Sequence, residues 1–233
     1  MKLANACYLC HTEEDLDYLA GDVDAAPDDV VKLIASSDHW SREQWQWLVQ
    51  RFAPRLIDLV RRREADIDYT LRVLGPLYGD LGSWPDNERR ATEEALHGAL
   101  IDALEHWPTH DLVRMLGGLG SVYDDLWPWL ARVDAAIGPA ARAGVVRLAF
   151  HWSMDLLWQE DNWFSWWYPD DPVALVREWT LNARPVVDEY GREHPTCKTA
   201  RDTLTAIGCL ERGENGPWPY PHHHGPFEQK ILN

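Results

Sequence analysis

The sequence predicts an all-α protein, a HEAT- or armadillo-like stack of helix pairs with about ten helices, on three observations. Apolar side chains recur every three or four residues along nearly the whole chain. No segment alternates apolar and polar residues for long enough to make a strand. Proline and glycine fall between the periodic runs, where helices stop.

The elements follow in order. Thr12 is placed to cap a short helix, with Asp15 at its third position. Pro27-Asp28-Asp29 starts a run with Val30, Val31 and Ile34 on one side. Ser41 is a good N-cap for a helix with Trp45, Leu48, Phe52, Leu56 and Leu59 as its stripe, and Pro54 inside it predicts a kink or a break. Ile67, Leu71 and Leu74 mark a third run that ends before Gly75-Pro76. The next begins near Pro85-Asp86 and packs through Ala95, Leu96, Ala99, Leu100, Ala103 and Leu104. Shorter helices are expected at Leu112–Leu116, and at Val122, Leu126, Trp129, Leu130 and Val133. Beyond Gly138-Pro139 comes a stripe of Val145, Leu148, Trp152 and Leu156. Val173, Val176, Trp179, Ala183, Val187 and Tyr190 form one more, and Cys197, Ala200, Leu204, Ile207 and Leu210 the last.

The repeat rests on Trp40, Trp84, Trp127 and Trp167, which are 44, 43 and 40 residues apart, near the period of paired-helix repeats. No linker interrupts the chain, so residues 1–212 read as a single helical domain. From 213 to 233 the character changes to ENGPWPYPHHHGPFEQKILN, a tail whose four prolines favour polyproline II and which is expected to dock on the domain.

Charge narrows the function. The net charge is -16, and the bases are 18 Arg and 4 Lys. That field repels nucleic-acid phosphates and anionic membranes, and it attracts a basic partner. No apolar run reaches the length of a membrane span. The start of the chain is polar after Leu3 and carries no secretory apolar region; with only four cysteines, a cytoplasmic location is expected.

Several stretches resemble one known family. Cys10-His11-Thr12-Glu13, Pro27-Asp28-Asp29, HWSREQWQWLVQRFAPRLIDLV and WPDNERRATEEALHGALIDALE are similar to a family of bacterial proteins with no assigned activity. Its members share a short Cys/Thr-Pro-Glu-like opening, a Trp-led helix ending in Phe-x-Pro-Arg-Leu-x-x-Leu, and a second Trp-led amphipathic helix. The likeness covers residues 7–130. Glu13 follows Thr12 without the family's proline, and Val49–Arg55 departs at several positions. The resemblance implies helices and no chemistry.

Cys7-Tyr8-Leu9-Cys10-His11 has the spacing of a haem-attachment motif, but that attachment needs export. Zinc on Cys7, Cys10 and His11 needs a fourth ligand. Cys197 and Cys209 sit about 18 Å apart if they share a helix, so at most one could join; His222–His224 are the other source. The competing reading packs Cys7 and Cys10 as small apolar residues. The second candidate is HWSMDLLWQEDNWFSWWYPDD, where His151 and Asp155 share a helix flank. A carboxylate on the imidazole fixes its tautomer and raises its basicity, as a general base requires. Trp152, Trp158, Trp163, Trp166 and Trp167 would wall a pocket for a flat ligand; the same residues equally make an ion pair beside a core. Asp124-Asp125 and Asp170-Asp171 lack the third carboxylate of a terpene-cyclase metal motif and read as acids at helix N-termini. His106 and His110 flank Pro108 and are not expected on one helix face. No phosphate loop, dinucleotide fingerprint, nucleophile elbow or HExxH occurs. The expectation is an acidic helical binding protein, inhibitor-like or scaffolding, that engages a basic protein. An enzyme or small-molecule binder around His151 and Asp155, metal-dependent or not, is the alternative.

Overall fold

The threonine at the first helix start does what its spacing predicts. The Thr12 hydroxyl accepts the Asp15 amide at 3.1 Å and the Asp15 carboxylate accepts the Thr12 amide at 2.8 Å, a reciprocal capping box. Ser41 and Gln44 repeat the device, at 3.3 and 2.9 Å. The computed structural model describes Leu3 and residues 11–36, 40–136, 138–158 and 172–214. Its helices are α1 (Glu13–Ala20), α2 (Asp28–Ser36), α3 (Arg42–Arg61), α4 (Ile67–Arg72), α5 (Asp86–His106), α6 (Thr109–Tyr123), α7 (Trp127–Asp134), α8 (Pro139–Trp158), α9 (Pro172–Asn182), α10 (Arg184–Glu193) and α11 (Lys198–Glu211). The described residues hold these eleven helices, one 3-10 turn at Leu81–Ser83 and no strand. The class is all-α, and the helix order is compatible with stacked pairs.

The chain forms two compact units, Met1–Ala99 with Arg114–Leu126, and Leu100–Val113 with Trp127–Asn233. The chain crosses from one to the other inside α5, inside α6 and again between α6 and α7.

In the first unit α3 packs on α2 and α4 and buries Leu48, Phe52, Leu56 and Leu59 against Val31, Ile34 and Leu71. Of the kink or break expected at Pro54, the break does not occur: α3 runs unbroken from Arg42 to Arg61. An interior proline costs about 3 kcal/mol. Phe52 and Leu56, on either side, are each worth about 1.5–3 kcal/mol when buried, which is enough to carry the helix through. Asp66 caps α4 by accepting the Tyr69 amide, and Arg114 pairs with Asp66 at 2.7 Å and Asp68 at 2.8 Å. Trp84 lies buried and donates its indole N–H to the Gly79 carbonyl at 2.7 Å.

The predicted helix at Leu112–Leu116 reaches Tyr123, so Val122 belongs to α6 and not to the next helix. Gly117, Gly118 and Gly120 weaken a helix on propensity. Gly118, however, lies so near Leu71 that a Cβ there would stand 2.9 Å from its side chain, and that close packing offsets the entropy. Asp124, with φ 53, ends α6, and the Asp125 amide bonds the Gly120 carbonyl at 3.0 Å. These two acids therefore follow a helix C-terminus instead of opening a helix; Asp170 and Asp171 lie outside the described residues.

In the second unit α8 packs on α9, α10 and α11. The single stripe expected from Val173 to Tyr190 is two helices, α9 and α10, divided at Ala183. Pro185 has no N–H to continue a helix and is well suited to the first turn of a new one. Trp129, Trp152 and Trp179 are fully buried, the last two edge to face with ring centres 5.0 Å apart. Gly144 sets the approach of α8 to the end of α5, since a Cβ there would collide with the Leu104 carbonyl.

Candidate functional site

Nearly the whole circumference of α8 is inside the second unit. Val145, Val146, Leu148, Ala149, Trp152, Ser153 and Leu157 are buried, and Arg147, His151 and Asp155 are partly exposed. Spaced four apart, these three lie along one flank of the helix. His151 Nε2 stands 3.4 Å from Asp155 Oδ2, with the side chains 29% and 21% exposed. The contact is longer than a strong hydrogen bond. It orients the imidazole with Nε2 toward the carboxylate, which leaves the Nδ1 lone pair for another proton.

Arg147 was not singled out by motif reasoning. Its Nη2 donates to the Leu104 carbonyl at 3.0 Å and to the Trp107 carbonyl at 3.5 Å, satisfying groups that the end of α5 leaves open. No carboxylate among the described residues pairs with it. Burial pushes its guanidinium down, and the acidic group it senses is the phenol of Tyr190 on α10.

The predicted aromatic wall is only partly in view. Trp152 lies in the core against Trp179, whose indole N–H donates to Asp134 Oδ1 at 2.8 Å. Trp158 ends α8, and Trp163, Trp166 and Trp167 lie outside the described residues. Of the predicted zinc ligands, Cys7 and Cys10 also lie outside them, as do His222–His224. His11 is buried and stacked on Trp40, with ring centres 4.4 Å apart and planes at 24°. Among the described residues no group of three His, Cys, Asp or Glu side chains is placed to hold a metal ion. Cys197 and Cys209 are free thiols at opposite ends of α11, and burial pushes the Cys209 thiol up.

A different surface belongs to the first unit. Between Thr12 and Asp29 the chain carries eight acids and no base. Glu13, Glu14, Asp17, Asp22, Asp24 and Asp29 are exposed, and none of these six enters an ion pair among the described residues. Asp15 is spent on the cap, and the Thr12 backbone amide beside it holds its carboxyl below the usual range.

The loop between α1 and α2 is pinned from α3. Arg51 donates to the Gly21 carbonyl, and Arg55 donates to those of Val23 at 2.7 Å and Ala26 at 2.6 Å. Asp28 accepts from Arg55 and, at 2.9 Å, from Arg62; the Arg62 guanidinium first, then Arg55, holds its carboxyl low. The spacing of Asp22, Asp24 and Asp28 is reminiscent of a cation loop, but the carbonyls and the third carboxylate are already taken by arginine. What remains outward is negative charge on a fixed backbone.

No described helix is long and apolar enough to cross a membrane. The chain matches no family model, no curated protein and no solved structure. The family resemblance read from residues 7–130 has no counterpart among these comparisons, and function is argued from the two sites alone.

Proposed function

We propose that this chain is a cytoplasmic binding protein whose α1–α2 segment receives a basic protein partner, in the manner of an inhibitor or scaffold. The observation that carries the reading is the set of six exposed, unpaired acids within eighteen residues, on α1, the start of α2 and the loop between them that Arg51 and Arg55 hold. Like charges so close repel one another, and a binding surface is one place where that cost is recovered. A pinned backbone also loses little freedom when a partner docks. Charge of this density steers a cationic partner over distances near the Debye length, about 8 Å at physiological salt.

The test compares equal charge changes at two places. A lysine- and arginine-rich peptide is titrated against wild type, against Glu13→Gln/Glu14→Gln/Asp17→Asn, and against Asp188→Asn/Glu189→Gln/Glu193→Gln on α10. The first triple variant is expected to bind about tenfold more weakly, and raising salt from about 50 to 200 mM should erase most wild-type binding. Equal loss in both triples would reduce the acidity to bulk charge and sink the reading.

A second reading is supported by the half-buried contact of His151 with Asp155 on the accessible flank of an otherwise buried helix. It makes that flank a small-molecule site with His151 as base and Asp155 as its positioning carboxylate. Ligand-dependent quenching of tryptophan fluorescence that vanishes in His151→Ala is the expected result; an identical response in the variant removes the site.

A further inference from the structure

We propose that Arg147, with His151 one turn along α8, binds an oxyanion, a carboxylate or a phosphoryl group, on this flank of the second unit. The inference rests on the second reading for the place of the site, and adds the class of its ligand.

A guanidinium offers five N–H groups, and both hydrogen bonds of Arg147 among the described residues come from Nη2. Nε and Nη1 have no hydrogen-bond partner among the described residues, and the residue is partly exposed. Nε–H and Nη1–H leave from different edges of the guanidinium, so each offers a separate donor to an anion oxygen, while Nη2 is spent on the two carbonyls.

The charge argument agrees. In a chain of net charge -16, Arg51, Arg147 and Arg177 hold carbonyls with no carboxylate paired to them among the described residues, while Arg55, Arg62, Arg89, Arg114, Arg142, Arg184, Arg192 and Arg212 stand against carboxylates. Arg147 is half-buried, where an unanswered positive charge is costly and an arriving anion gains most. The carbonyls of Leu104 and Trp107 fix the guanidinium without neutralising it. His151 follows four residues later on the same flank, its Nε2 turned to Asp155, so Nδ1 is left for the ligand side. Protonated there, it adds a second donor.

Full-length protein is titrated calorimetrically with inorganic phosphate and, separately, with acetate, at ionic strength held constant with potassium chloride. One saturable site is expected for at least one of the two. Arg147→Gln, which keeps an N–H for the Leu104 carbonyl, should weaken it by about tenfold or more. Arg192→Gln, on the exposed face of α10, should leave it unchanged. Should Arg147→Gln fail to fold, Arg147→Lys takes its place: it retains a charge and loses the fixed planar donors Nε and Nη1, so unchanged affinity in that variant overturns the assignment. Saturation by phosphate alone identifies a phosphoryl ligand, and by acetate alone a carboxylate. No saturable binding of either, or equal loss in Arg147→Gln and Arg192→Gln, overturns the proposal. His151→Asn should weaken binding less than Arg147→Gln does, and affinity unmoved by it overturns the part given to His151; the second reading fails on its own quenching test, so the two fail separately.

Discussion

In the first unit, Arg51 and Arg55 donate to the carbonyls of Gly21, Val23 and Ala26, and Asp28 answers the charge of Arg55. In the second, Arg147 donates to the carbonyls of Leu104 and Trp107, and no described carboxylate answers it. The same side chain thus works as a compensated staple in one place and as a held positive charge in the other. Backbone carbonyls can position a guanidinium as firmly as an acid does, but only the acid ends its electrostatic demand. The first arrangement frees nearby acids to face outward, and the second leaves a cation on an acidic protein.

The comparison breaks most severely from the core. Trp152→Ala removes a fully buried indole that packs edge-on against Trp179 and should cost about 3–5 kcal/mol, measured by urea unfolding. A cost below about 1 kcal/mol would mean that the second unit does not stand on its tryptophans and that the α8 flank lacks a rigid floor. The next largest effect separates the two arginine roles. Arg55→Met strands two carbonyls and half of the Asp28 pairing, and is expected to cost about 2–3 kcal/mol. Arg147→Met strands two carbonyls but relieves an unanswered charge, and should cost about 1 kcal/mol. If Arg147→Met proved as costly as Arg55→Met, Arg147 would be a plain structural cap and the oxyanion proposal would lose its motive.

How much of this could be read in advance depends on the distance over which each feature is decided. The capping boxes at Thr12 and Ser41 involve residues three apart, and the sequence shows them in full. The passage of α3 through Pro54 depends on burial against other helices, which no local pattern reveals. The division of α9 from α10 hides because Val176, Trp179, Val187 and Tyr190 keep the helical rhythm across it. Three glycines hid the length of α6 because the contact of Gly118 with Leu71 joins residues 47 positions apart, and propensity alone argues for a stop. At the sites, His151 and Asp155 were visible as an i, i+4 pair, and Arg147 extends the same ladder. The lack of a carboxylate beside Arg147 was not visible, because it depends on which parts of α5 and α10 the helix meets. The acid-only run from Glu13 to Asp29 was plain as composition; the arginines that pin its backbone come from about thirty residues further on.

A smaller effect distinguishes the units by pH. Arg62 and Arg55 hold the Asp28 carboxyl below its ordinary value, so its contribution is fully present above the unfolded aspartate range, about pH 4. It is lost as pH falls through the lower folded value. Wild type should therefore lose stability between about pH 5 and 2 more steeply than Asp28→Asn, followed by thermal melts across that range. Parallel curves for the two proteins would show that Asp28 is not the answering charge of the arginine staple.

The smallest effect has the opposite sign and sits beside the tryptophan core. Burial raises the Asp134 carboxyl above its ordinary value, and the Trp179 N–H only partly opposes this. A raised folded value means that the native state binds the proton more tightly than the unfolded chain does. The ionised form is then the less stable one, and this local penalty is present at neutral pH and disappears as pH falls through the raised value. Asp134→Asn keeps an oxygen to accept from Trp179 and removes the charge. It should melt slightly above wild type at pH 7, and the advantage should shrink to nothing below about pH 4. An advantage that persists at pH 3 would come from packing and not from charge. A variant less stable at pH 7 would mean that the negative carboxylate itself holds the Trp179 indole, which makes the second unit, like the first, dependent on an acid to anchor a donor.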